Sequence, residues 1–82
     1  MNDDKAKEIE KALLELDRLF LKEHEGKIYR IMLDTLEKSL IKNTLLVTFG
    51  NQIKAARLLG VNRNTLRAKI RKLGISLDEV KS

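Results

Sequence analysis

The sequence predicts an all-α fold of four helices, and three observations carry that expectation. There is no proline in the 82 residues. β-Branched residues never alternate with polar ones over a useful distance, so no strand pattern competes with the helical period. Four glycines, Gly26, Gly50, Gly60 and Gly74, each close a stretch of helical periodicity, as left-handed C-terminal caps do, and each precedes a plausible new start. The helices expected from this punctuation cover about 3–24, 27–48, 51–59 and 63–73.

Helix one carries Ile9, Leu13, Leu16 and Phe20 on one stripe with charged flanks, the pattern of a bundle seam. Helix two is apolar over more of its circumference. Ile28, Ile31, Met32, Leu36 and Leu40 lie on one side, and Tyr29, Leu33, Ile41, Leu45, Leu46 and Val47 widen the band. A helix with so broad an apolar face needs more than one neighbour, and a chain of this length has little else to cover it. A homodimer is therefore expected, in which helices one and two of both chains form an intertwined four-helix core around Ile9, Leu13, Leu16, Phe20, Ile28, Met32, Leu36 and Leu40. The alternative is a monomer with helix two at its centre.

The third and fourth helices are more tightly specified. Asn51 is placed to cap helix three, whose inner face is Gln52, Ala55, Ala56 and Leu59, and Gly60 ends it. Val61 and Leu66 flank the next cap, Asn62, as a hydrophobic staple. Small Ala56 permits a close helix crossing, Gly60 frees the turn, and Leu66 fills the gap between the helices, which is the logic of a helix-turn-helix. In helix four Leu66, Ile70 and Leu73 form the inward stripe. Asn64, Ala68 and Arg71 point the opposite way, with Arg67 and Lys72 beside them. Arg63, Asn64 and Thr65 occupy its first turn, the part that enters deepest when such a helix lies in a major groove.

Charge follows the same division. Residues 1–42 carry a net charge of −1 and residues 43–82 a net charge of +6. A positive field confined to the C-terminal half suggests a polyanionic partner for that half and another task for the first. The plain alternative is an amphipathic helix whose cations only solvate it. Duplex DNA fits better than RNA, because Phe20, Tyr29 and Phe49 are the only aromatic residues and none lies among the cations of the last helix.

Other functions find little support. With no cysteine and a single histidine, His24, read as a solvated helix-end residue, no metal centre or cofactor site is expected. His24, Asp34 and Glu37 form no acid, base or nucleophile constellation, so an enzyme is not expected. No apolar run approaches the roughly 20 residues that span a bilayer, and the charged N-terminus lacks the apolar core of a signal peptide, which points to a cytoplasmic, nucleoid-associated protein without membrane contact. Ser76 and Glu79 in the tail have the spacing of a capping box for a short terminal turn.

Over residues 45–75 the residues Gly50-Asn51-Gln52, Ala55-Ala56, Leu58-Leu59-Gly60, Asn62-Arg63-Asn64-Thr65-Leu66-Arg67 and Lys72-Leu73-Gly74 resemble the Fis-type helix-turn-helix. That family includes the nucleoid protein factor for inversion stimulation and the C-terminal DNA-binding domains of nitrogen-regulator-C-type enhancer-binding activators. The resemblance implies one Fis-like domain: dimerisation helices over 1–48, a helix-turn-helix over 50–74 and a short tail over 75–82. It further implies a two-fold dimer that bends duplex DNA at a palindromic site. Asn62, Arg63, Asn64, Thr65 and Arg67 form the expected base-reading set, with Asn62 and Arg63 foremost; the family pattern also takes Thr65 toward the backbone and Arg67 toward a phosphate. Asn51, Gln52, Lys54, Arg57, Lys69, Arg71 and Lys72 form the expected phosphate-binding set. Ile53 and Ala68 depart from the pattern where polar and lysine residues occur, which weakens nonspecific grip rather than recognition. With the first helix expected to start almost at Met1, no counterpart of the nucleoid protein's mobile N-terminal arms is expected. The expectation is thus a DNA-binding domain of an activator of sigma-54-dependent promoters, whose ATPase and receiver domains would lie elsewhere, since no phosphate-loop motif is present. A stand-alone nucleoid protein and a dimerisation module with incidental DNA contact are the alternatives.

Overall fold

In a computed structural model the described residues are 3–80, with side chains to residue 78, and they form helices joined by short turns with no strand among them. The segments are α1 (Asp3–Leu14), α2 (Arg18–Glu23), α3 (Ile28–Val47), α4 (Gln52–Leu59), α5 (Arg63–Lys72) and a single-turn α6 (Leu77–Val80). The core gathers around the C-terminal end of α3. Ile41 and Leu45 of α3, Ala55 and Ala56 of α4, Leu66 and Ile70 of α5, and Ile75 beyond it form one buried cluster, on which Leu59, Leu73 and Leu77 pack. Leu45 and Leu66 are fully enclosed. Two alanines at the α3–α4–α5 junction allow the close helix approach that larger residues would prevent. The helix-turn-helix thus rests on half of α3, and α1 has no buried residue.

The sequence pattern predicts one helix over 3–24; the structure divides it. Asp17 adopts extended backbone (φ −84°, ψ 167°) and its carboxylate accepts a hydrogen bond from the Phe20 N–H at 2.7 Å. A short carboxylate satisfies an orphan N–H at a helix start but competes with the ladder inside a helix, so Asp17 begins α2 after α1 has stopped at Leu14. Leu13, Leu16 and Phe20 therefore do not form one continuous helical stripe. The expected count of four rises to six segments, with α6 as the second addition. The Ser76–Glu79 capping box falls on a side chain outside the described residues.

Two caps differ in detail. At the end of α3 Gly50 is left-handed as expected (φ 80°), its N–H donating to the Leu45 carbonyl at 2.8 Å, and Phe49 before it is left-handed too (φ 54°). His24, expected to be solvated, is half-buried: its Nδ1 lies 2.9 Å from the Phe20 carbonyl and its ring packs on that of Phe20.

The expected dimer-core residues all lack full cover in the chain. Leu16, Phe20, Ile28 and Met32 are half-buried, while Ile9, Leu13, Leu36 and Leu40 are each about half exposed. No residue of α3 before Ile41 is buried. The radius of gyration is 14.6 Å, against about 12 Å for a compact domain of this length. The accessible surface of 6891 Å² likewise exceeds the roughly 5,000 Å² typical of a folded monomer of 9.4 kDa.

Candidate nucleic-acid interface

The local chemistry of residues 51–66 sets the two helices of the site. Asn51 has extended backbone and its side-chain oxygen accepts from the Lys54 N–H at 3.1 Å, starting α4. Gly60 stops it in the left-handed region (φ 76°), where its N–H and that of Val61 both donate to the Ala56 carbonyl, at 2.9 and 3.0 Å. The Gly60 N–H is also shared with the Arg57 carbonyl at 3.2 Å, so the closure satisfies two of the last carbonyls of α4 and turns the chain sharply. Asn62 then caps α5, its oxygen accepting from the Asn64 N–H at 2.7 Å. Val61 and Leu66, the residues of the expected staple, line a cavity of about 120 Å³ together with Leu40, Ile41 and Leu59.

This frame leaves one face of α5 open. Arg63, Asn64, Thr65, Arg67, Ala68, Arg71 and Lys72 are all exposed, and none of the four cations among them forms an ion pair with a described residue. The inward stripe is as expected, with Leu66 and Ile70 buried and Leu73 half-buried. An open recess of about 380 Å³ is lined by Gly50, Asn51, Gln52, Ile53, Arg63 and Arg67. It brings the start of α4, where backbone N–H groups lack intrahelical acceptors, beside two guanidinium-bearing side chains from α5. Such a surface can hold a phosphate oxygen on the α4 side while the arginines reach past it. The spacing of the sequence does not disclose this meeting, because most of α4 and the turn lie between residues 50–53 and 63–67.

Other expected site residues lie elsewhere. Lys54 and Arg57 border a second open recess of about 380 Å³ with Val47, Thr48, Phe49 and Leu58, apart from the Arg63–Arg67 cleft. Arg71 and Lys72 stand in the last turn of α5, where cations are favoured by the helix dipole. Lys69 is less exposed than the other cations of α5, and its Nζ is 2.6 Å from Glu37 Oε2 of α3. Glu37 has no signal in the sequence as part of the site; the pair joins residues 32 positions apart. Asn62 uses its amide oxygen as the cap, so its NH2 group is the part left to meet an acceptor.

Among the described residues no group of three or more histidine, cysteine, aspartate or glutamate side chains is placed to hold a metal, and no helix is long and apolar enough to cross a membrane.

Known proteins resemble the chain in sequence. The family model described as "Bacterial regulatory protein, Fis family" matches residues 32–76, from the second turn of α3 through the whole helix-turn-helix. Over 50 residues, 61% of the chain, it is 58% identical to the DNA-binding transcriptional regulator NtrC of Rhizobium meliloti (strain 1021) and 56% identical to that of Azospirillum brasilense. The chain spans about a tenth of the length of those two relatives. It is also 34% identical over 70 residues to the DNA-binding protein Fis of Buchnera aphidicola subsp. Schizaphis graminum, a match that covers 85% of the chain and 68% of the relative. No solved structure matches. On the family match and the Buchnera relative together, the chain belongs to the Fis family of bacterial regulatory proteins.

Proposed function

We propose that the chain binds duplex DNA sequence-specifically as a homodimer and serves as the DNA-binding domain of an enhancer-binding regulator of sigma-54-dependent promoters. The observation that carries this reading is the open, unpaired cationic face of α5 flanking the start of α4. Arg63 leads base recognition, because a guanidinium can bond two acceptors of a guanine edge at once. Asn64, Thr65 and the NH2 of Asn62 assist it in the first turn of α5. Arg67 stands between groove and backbone. Asn51 and Gln52 meet the backbone at the α4 start, Arg71 and Lys72 grip it from the far end of α5, and Lys54 and Arg57 add field from the neighbouring face. The uncovered stripe of α1 and α3 supports the dimer: an apolar groove lined by Leu13, Tyr29, Met32, Leu33 and Leu36 offers no polar lining and suits the same helices of a second copy. The kinship to NtrC proteins favours a domain tethered to ATPase and receiver domains, acting in the cytoplasm on the nucleoid. No turnover chemistry enters this reading.

The test is a pair of substitutions measured on a preferred site and on random duplex. Arg63→Ala is expected to cost about 1–3 kcal/mol on the preferred site and to relax specificity, whereas Lys72→Ala weakens binding to all sequences similarly. Equal losses on both DNAs for Arg63→Ala would remove the base-reading role. A second reading, a free-standing DNA-bending protein, is favoured by the Buchnera Fis match, which extends over more of the chain than the NtrC matches do. Under the third, a dimerisation module with incidental DNA contact, no sequence preference would survive at physiological salt.

A further inference from the structure

Lys69 sits in the middle of the cationic helix yet is the one α5 cation that forms an ion pair among the described residues. Its ammonium is 2.6 Å from the Glu37 carboxylate, and the two side chains retain 37% and 25% of their exposure. The pair crosses from α5 to α3 at the rim of the cavity lined by Leu40, Ile41, Leu59, Val61 and Leu66. It thus ties the recognition helix to the element on which it packs. Arg67, Arg71 and Lys72, by contrast, are exposed and carry no such tether.

We infer that Glu37 is a specificity-determining residue: it acts as an internal counterion that withholds Lys69 from DNA phosphates and so limits nonspecific grip. The inference rests on the duplex-binding reading above. A cation already neutralised within the protein releases no counterion from DNA, so it adds neither affinity nor salt dependence. Moving Lys69 to a phosphate would leave the Glu37 carboxylate unpaired and partly exposed beside a polyanion, a repulsive arrangement. Nonspecific complexes depend on phosphate contacts alone and tolerate many geometries, so they gain most from an extra mobile lysine. A complex whose register is set by base contacts gains less. The carboxylate on α3 therefore raises the ratio of specific to nonspecific binding without touching a base.

Removing the carboxylate isolates this effect. The full chain and its Glu37→Gln, Lys69→Gln and Glu37→Gln/Lys69→Gln variants are titrated with random duplex and with a selected site over a range of salt, and thermal midpoints are recorded without DNA. Glu37→Gln is expected to bind random duplex on the order of tenfold more tightly at about 0.1 M salt, with a log–log salt slope steeper by about 0.9 per protomer. Its discrimination between the two DNAs falls severalfold. The double variant, which lacks both charges, returns to the parent affinity and slope. An unchanged slope in Glu37→Gln, together with a weaker and shallower double variant, would mean that Lys69 already grips phosphate, and the inference would fall. Lower affinity of Glu37→Gln on both DNAs, accompanied by a lower thermal midpoint, would likewise overturn it in favour of a purely structural brace. If the parent chain binds neither duplex, the duplex-binding reading itself fails rather than the role of Glu37 alone.

Discussion

At the scale of single residues, caps and strain decide where side chains stand. Asn51 and Asn62 are legible in the sequence because an asparagine two or three residues ahead of its bonded N–H acts locally, and both bonds are formed. Phe49 is not legible in that way. The pattern assigns a left-handed position to Gly50, which adopts it at φ 80°, but Phe49 just before it is left-handed as well, at φ 54°, while 70% exposed. A side chain with a β-carbon is disfavoured there, and little burial offsets the cost. Phe49→Gly is therefore expected to stabilise the fold by roughly 0.5–1 kcal/mol, read as a higher thermal midpoint. A lower midpoint would show that the ring makes a contact in the assembled protein. Glu37 illustrates the opposite limit: its partner Lys69 is far along the chain, and no spacing rule joins an acidic residue of one helix to a cation two helices later.

Among the elements, α4 and α5 match their expected bounds to within a residue, because a cap, a stop and an inward stripe agree at each end. The first helix does not. Leu13, Leu16 and Phe20 keep a helical beat across residues 15–17, and that beat masks Asp17, whose carboxylate caps the start of α2. Periodicity records which residues share a face and says less about backbone continuity. Gly60 shows how a turn depends on conformation rather than room. A β-carbon there would meet nothing within 4 Å, but φ is 76°. Gly60→Ala is accordingly expected to cost about 1 kcal/mol through backbone strain alone, lowering the thermal midpoint by about 4–8 °C. Gly60→Asn should cost less, since asparagine tolerates the left-handed region better. Equal losses for the two substitutions would contradict this account of the turn.

At the scale of the whole molecule, the chain divides into a packed C-terminal unit and an N-terminal apolar surface that the chain itself leaves uncovered. The division was visible beforehand in charge and in the breadth of the helix-two stripe, whereas the amount of uncovered surface emerges only from the fold. Roughly 1,900 Å² of surface beyond that of a typical monomer is within the range an obligate dimer buries per chain. Sedimentation equilibrium is expected to find a dimer at micromolar concentration. Leu36→Glu with Leu40→Glu should shift it to monomer, while on a true monomer such half-exposed positions would change stability by less than about 0.5 kcal/mol. Two recognition helices related by a two-fold axis would read two halves of one site. The most direct measurement is selection of bound fragments from random duplex DNA by the full chain, followed by comparison of the enriched sequences. A palindromic consensus with half-site centres about one helical turn apart is the predicted result; a non-palindromic consensus, or no enrichment at physiological salt, would contradict it.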